Sequence, residues 1–139
     1  MATSPMTIDT SFAKGRALAN WFMTVTGTSG SVAAEHVYSN ILSLDSTKAQ
    51  QWATSAFPEG PRVFTVNVPV GVPSEQQCGK GVHIDAHVNN SSIDVVGPAY
   101  PTTCNTPLNP SENMLAFFFF DLASCIQKDN EPPRPPPVN

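Results

Sequence analysis

The chain has 139 residues, of which 40% are hydrophobic and 13% charged, and a formal net charge of -4. That length fits a single domain with a real core, and its seven Lys and Arg (14, 16, 48, 62, 80, 128 and 134) stand singly, so no basic stripe exists to neutralise a phosphate backbone and nucleic acid is excluded as the expected partner. No run approaches the ~18 apolar residues of a membrane span, and residues 1 to 10 lack the basic start and apolar core of a signal peptide.

Residues 1 to 10 read as a disordered N-terminal segment. Asp9 or Ser11 then caps a first helix from Phe12 to about Val25, with Leu18, Trp21, Phe22 and Val25 at helical spacing, and the Gly27-Thr-Ser-Gly30 stretch stops it. Val37, Ile41 and Leu44 recur at spacings of four and three, which predicts a second amphipathic helix over 32 to 44. Asp45, Ser46 and Thr47 break that pattern and are placed to cap a short third turn running through Trp52.

After a turn at Pro58 to Pro61, the β-branched and aromatic alternation of residues 62 to 68 predicts a strand that ends at Pro69. Residues 70 to 77 form a loop, and Gly79, Lys80 and Gly81 lead into a second strand reaching Val88. A long polar connection over 89 to 108, containing Cys104, has the length of a functional or cross-linked loop. The last helix carries the clearest start signal: Asn109 as cap, Pro110 in the first turn and Glu112 placed to complete a capping box. It is apolar almost all round from Met114 to Leu122, which predicts burial on more than one side. Residues 129 to 139 are rich in proline and read as an extended tail or linker, so the domain is expected to span 11 to 128. The expected fold class is α/β, a small sheet packed by helices.

Three groups of residues are candidates for chemistry or cross-linking. His83, Asp85 and His87 alternate along the second strand and so share a face, a donor set suited to zinc or another borderline divalent ion. On a straight strand the outer two stand about 13 Å apart, too far for one ion, so the realistic site pairs two of them with a third ligand such as His36 or Glu35. The alternative is a polar strand face in which Asp85 orients a neighbouring histidine.

Among the three cysteines, a strand running up and a helix running back bring Cys78 and Cys125 to one edge of the sheet, the expected disulfide, with Cys104 near the opposite end. Closing that loop would contribute about 3 to 4 kcal/mol; the alternative is three buried thiols. The third group, Phe117, Phe118, Phe119 and Phe120, reads either as core packing or as an interface with parent-chain domains or a second copy. Asn89 and Asn90 each begin an Asn-x-Ser sequon, and no Gly-x-Ser-x-Gly elbow is present for acyl transfer.

Several segments carry a family resemblance: residues 12 to 21, 63 to 71, 77 to 80, Asp85-Ala-His-Val88, and 108 to 126 with Asn-Pro-Ser-Glu-Asn-Met-Leu leading to Phe-Phe-Asp-Leu-Ala-Ser-Cys-Ile. In that order they resemble the closing portion of a bacterial module of large exported or surface-associated proteins. The strand and helix in turn look like the final segment of glutamine-amidotransferase-like α/β domains, the group that includes trehalose-utilisation-like proteins. Asp85, His87, Cys78, Cys104 and Cys125 agree with the module pattern. His83 stands where that pattern is apolar, and Lys80 and Gly81 stand where it has an arginine and an apolar residue. No cysteine occupies a strand-to-helix elbow and no His-x-Glu follows the strand, so the resemblance implies a fold and an exported setting without an active site.

Charged residues at about half the usual share, with Ser, Thr, Asn and Pro filling the surface, agree with an exported protein. The expected location is extracellular, periplasmic or at the cell surface, with any export signal outside this chain. The expected function is a non-catalytic accessory or interaction domain with a protein partner. Its alternatives are a metal-assisted hydrolase or sugar-handling domain built on His83, Asp85 and His87, and an incomplete piece of a larger amidotransferase-like domain.

Overall fold

The structure is a computed structural model and describes residues 4–34, 41–86, 107–123 and 128–133. Five strands, β1 (Ser4–Ile8), β2 (Ser31–Ala34), β3 (Ala49–Ala56), β4 (Glu59–Val68) and β5 (Gly79–Ile84), form one sheet in the order β2-β1-β3-β4-β5. Every pairing is antiparallel. Two helices, α1 (Ala13–Thr26) and α2 (Pro110–Ala123), pack against this small curled sheet. The expectation of a small sheet packed by helices therefore holds at that level.

The first helix forms where its apolar spacing places it. Leu18 and Phe22 are buried along one side, and Gly27 ends the helix in the left-handed conformation, its N–H donating to the Met23 carbonyl. Asp9 accepts from the Ser11 N–H at 2.9 Å and so stabilises the turn ahead of the helix, while Phe12 occupies the cap position. Gly15 is required by a close approach: a Cβ there would lie 2.0 Å from the Asp9 carbonyl oxygen.

The start of α2 is the capping box expected from its sequence. The Glu112 N–H donates to Asn109 Oδ1 at 2.8 Å, and the Asn109 N–H donates to Glu112 Oε2 at 2.7 Å. From there Met114 and Phe118 drop into the core one helical turn apart. Around them lie Met6 and Ile8 of β1, Val32 of β2, Trp52 and Ala53 of β3, Val63 of β4, and Phe12, Leu18 and Phe22. Trp52 is the hub, with edge-on ring contacts to Phe12 at 5.0 Å and to Phe118 at 4.9 Å.

Four expectations are corrected. Residues 4 to 8 are an interior strand, paired on both sides by β2 and β3; alternation of buried Met6 and Ile8 with exposed Pro5 and Thr7 explains it. Residues 31 to 34 are a strand where a helix was expected, and Asp45 to Lys48 make a turn into β3, which contains Trp52. Both errors have one cause, since short apolar spacings cannot distinguish a helix from a strand that finds sheet partners. Finally, α2 is buried on one side only: Phe118 is in the core, while Phe119, Phe120 and Leu122 are exposed.

The expected Cys78–Cys125 disulfide is also absent. Cys78 is a free, exposed thiol, and among the described residues there is no disulfide. The end of α2 does reach the beginning of β5, but the side chains that meet there are Asp121 and Lys80. Cys78 lies just outside the strand, its N–H held by the Val68 carbonyl at 2.9 Å. Cys104 and Cys125 lie outside the described residues.

Because β1 is interior, removing residues 1 to 8 strips β2 and β3 of a partner and takes Met6 and Ile8 from the core. The expected result is loss of a cooperative urea transition. Removing a segment that makes no contacts would leave the midpoint unchanged.

Candidate functional site

Two buried sets of charges organise the sheet, and a polar cleft opens beside one of them. On β4 and β5 the register Val63↔Ile84, Thr65↔Val82 and Asn67↔Lys80 puts these six residues on one face, because residues directly opposite in a ladder point the same way. Val63 lies in the core beneath the helices. Thr65 and Asn67 continue that face toward the open end.

Lys14 of α1, Lys80 of β5, Asp121 of α2 and Asp129 meet over this face. Lys14 Nζ lies 2.6 Å from Asp121 Oδ1 and 3.7 Å from Asp129 Oδ1. Lys80 Nζ lies 2.5 Å from Asp129 Oδ1 and 3.4 Å from Asp121 Oδ2. Lys14 is fully buried, and the other three side chains are 4 to 11% exposed. A chain of hydrogen bonds runs beneath: Trp52 Nε1 donates to Thr65 Oγ1 at 2.9 Å, and Thr65 Oγ1 donates to Asp129 Oδ2 at 2.9 Å. Burial by itself pulls the Lys80 pKa down, but the hydrogen bond to Asp129 and the charges of Asp129 and Asp121 outweigh it, so the net direction is up.

Asp129 is thus part of the domain, although proline-rich composition placed it in a tail. Its carbonyl also accepts from the Lys14 N–H at 3.2 Å. Residues 128–133 therefore lie against the domain, with Asp129 over the sheet face.

The second charged set is Arg62 with Asp85. The β3–β4 ladder passes from Gln51↔Phe64 to Ala53↔Val63 and then to Thr54↔Pro61, which makes Trp52 the extra residue on one strand and Arg62 the extra residue on the other. Arg62 is fully buried. Its Nη1 donates to Asp85 Oδ2 at 2.9 Å, its Nε to Ser55 Oγ at 2.6 Å, and its Nη2 to the Pro58 carbonyl.

This pair decides where the expected metal ligands stand. Asp85 follows the end of β5 and is buried against Arg62, whereas His83 is exposed and stacked on Phe64 with ring centroids 4.8 Å apart. The structure does not bring these two together, and His87, His36 and Glu35 lie outside the described residues. Among the described residues no group of three or more His, Cys, Asp or Glu could hold a metal ion. Phe117 and Phe118 pack inward and Phe119 and Phe120 outward, so the aromatic run divides between its two readings.

The cleft has a volume of about 500 Å³ and lies between the turn into β3, the open end of β4 and the loop that follows it. Thr47, Gln50, Thr65, Asn67, Gln77 and Asp129 line it. Asp45, beside the cleft-lining Ser46 to Lys48, has its pKa lowered to about 2 by hydrogen bonds from the Thr47 hydroxyl and from Lys48, so the turn holds an ionised Asp45–Lys48 pair. Asn67 Oδ1 is buried without a hydrogen-bond partner.

Sequence reasoning missed Lys14, Arg62, Asp129 and Asn67. A signal existed for Lys14, which stands four residues before Leu18 on the apolar side of α1. None existed for Asp129 or Asn67, whose roles come from strands and helices far away in the chain.

Comparisons of the chain with protein-family profiles, with curated proteins and with solved structures give no match. Among the described residues no helix is long and apolar enough to cross a membrane.

Removing one member of a buried charged set leaves the others short of a counter-charge, at up to about 3 to 5 kcal/mol. Lys14→Met is expected to lower stability by that amount in urea unfolding, and Lys14→Met with Asp121→Leu to recover part of it. The Lys80 pKa is raised in the folded state, so its contribution is complete below the ordinary lysine value of 10.5 and is lost as pH rises through the higher folded value. Thermal stability should accordingly fall through the alkaline range above that value, and Lys80→Met should flatten the fall.

Proposed function

We propose that this chain is an exported, non-catalytic accessory domain that docks another protein surface against the outer side of α2. The reading extends the resemblance to the bacterial surface-protein module and to an amidotransferase-like closing strand and helix. One observation carries it: Phe119 is 62% and Phe120 71% exposed, in the middle of a helix whose opposite side is locked into the core by Met114 and Phe118.

Aromatic side chains of this size are unfavourable in water and are enriched where proteins meet. Trp21 of α1 extends the patch, its ring centroid 6.5 Å from that of Phe120. Leu122 on α2 and Met23 and Val25 on α1 are exposed as well. The capping box and the Trp21 Nε1 bond to the Asn113 carbonyl hold the helix in place, so the rings are presented on a rigid support. The non-catalytic part of the reading draws on the buried carboxylates: Asp85, Asp121 and Asp129 each hold a buried cation.

In a purified sample the apolar surface available to α2 is a second copy of the chain. Sedimentation velocity over a range of concentrations is expected to show reversible association. Phe119→Ser with Phe120→Ser should abolish it without lowering the urea midpoint, since both rings are exposed. A wild-type chain that stays monomeric throughout, or a double variant that associates equally well, would overturn the reading.

A further inference from the structure

We propose that Lys14 and Asp121 condense, with loss of one water, to an amide bond that ties α1 to α2, with Lys80 and Asp129 assisting the step. The site is independent of the outer surface of α2, and the reaction is a single internal event rather than turnover. It begins from a contact: Lys14 Nζ and Asp121 Oδ1 are 2.6 Å apart, both side chains are buried, and 107 residues separate them in the chain. Groups held in this way meet at an effective concentration far above any reached in solution.

A lysine attacks a carboxyl carbon only as the free amine. Here two lysines share the same two carboxylates, and buried like charges disfavour each other, which eases the loss of a proton from one of them. The behaviour of Lys80 shows which one gives it up. Burial pulls the Lys80 pKa down, the Asp129 hydrogen bond and the charges of Asp129 and Asp121 raise it, and a hydrogen bond with Lys14 raises it further. Two ammonium groups have no lone pair to share, so that last bond keeps the cation on Lys80 and requires Lys14 to accept as the amine.

The 2.6 Å contact is a route for the Lys14 proton to Asp121 Oδ1, which turns Asp121 into the uncharged acid. Nζ then bonds to Cγ, and the electron pair of the Cγ–Oδ2 double bond moves onto Oδ2. Lys80 Nζ stands 3.4 Å from that oxygen, a cation placed where negative charge develops. Asp129 Oδ1, 3.7 Å from Lys14 Nζ, takes the proton that the nitrogen sheds and passes it to Asp121 Oδ1, which leaves as water when the Cγ–Oδ2 double bond re-forms. Bonds from Thr65 Oγ1 and Lys80 hold Asp129 in place for this relay. Condensation removes one cation and one anion together, so Lys80 and Asp129 remain as a matched pair and one costly buried ion pair is gone. The same burial keeps out the water that would reverse the step.

The test is the intact mass of the purified, folded full chain, followed by digestion with trypsin. The wild-type mass is expected to fall short of the sequence by one water, and digestion to yield the peptide ending at Arg16 joined through Lys14 to residues 81–128, which contain Asp121. Lys14→Arg, which keeps a cation but offers no amine, and Asp121→Ala should each show the full sequence mass. Asp129→Asn, which keeps the shape without the proton relay, should leave most of the chain at the full mass; complete cross-linking in that variant would overturn the role of Asp129. A wild-type chain at the full sequence mass, or a missing water that maps within one linear peptide, as in a cyclised aspartate, would overturn the proposal. The wild-type mass decides the matter even if every variant fails to fold.

Discussion

Four charged side chains from four separate parts of the chain meet over one end of the sheet, and the arrangement of the domain depends on their meeting. Lys14 comes from α1, Lys80 from β5, Asp121 from α2 and Asp129 from the segment after it. Desolvating any of them alone would cost several kcal/mol, so each can be buried only when its counterparts are in place. A rotation of α2 that moved Asp121 off Lys14 and Lys80 would leave two buried lysines sharing Asp129. The aromatic contacts around Trp52 attract the helices to the sheet without fixing their rotation, and the charges select among the ways of packing them.

A polar cleft opens at the same end of the molecule. Thr65 links the core to the charges through its bonds with Trp52 and Asp129, and Asn67, two residues further along the same strand, is left with an unfilled acceptor. The set of paired charges thus has a second consequence: it places compensated charge, rather than free charge, beside a polar cleft. Toward the other end of β4 Arg62 binds Asp85, Ser55 and the Pro58 carbonyl, tying the β3–β4 turn to the end of β5. Asp85 is thereby part of the scaffold, and His83, stacked on Phe64, is separated from it.

Where local sequence and final structure agree, the determinant is local. Asn109 and Glu112 lie within one helical turn and satisfy each other's backbone. Gly27 ends α1 because it adopts the left-handed conformation that stops a helix, and the β-branched run through Val63 and Val66 is a strand in any sheet that accepts it. Where they disagree, the determinant is a partner. Ser4 to Ile8 has too few residues to announce a strand, and it becomes one because β2 and β3 supply hydrogen bonds on both sides. Val32 is in phase with either a helix or a strand, and pairing with Met6 chooses the strand.

The sequence by itself determined the two helices and their end signals, the two later strands, and a sheet packed by helices, since propensity, capping and periodicity act over a few neighbouring residues. Only the tertiary structure decided that the sheet is antiparallel, that Lys14 and Arg62 are buried, that α2 and β5 meet through Asp121 and Lys80 rather than through sulfur, and that Asn67 lacks a donor. Those outcomes depend on which distant groups are brought within bonding distance, and the cost of burying a charge or an amide is set by its neighbours in space.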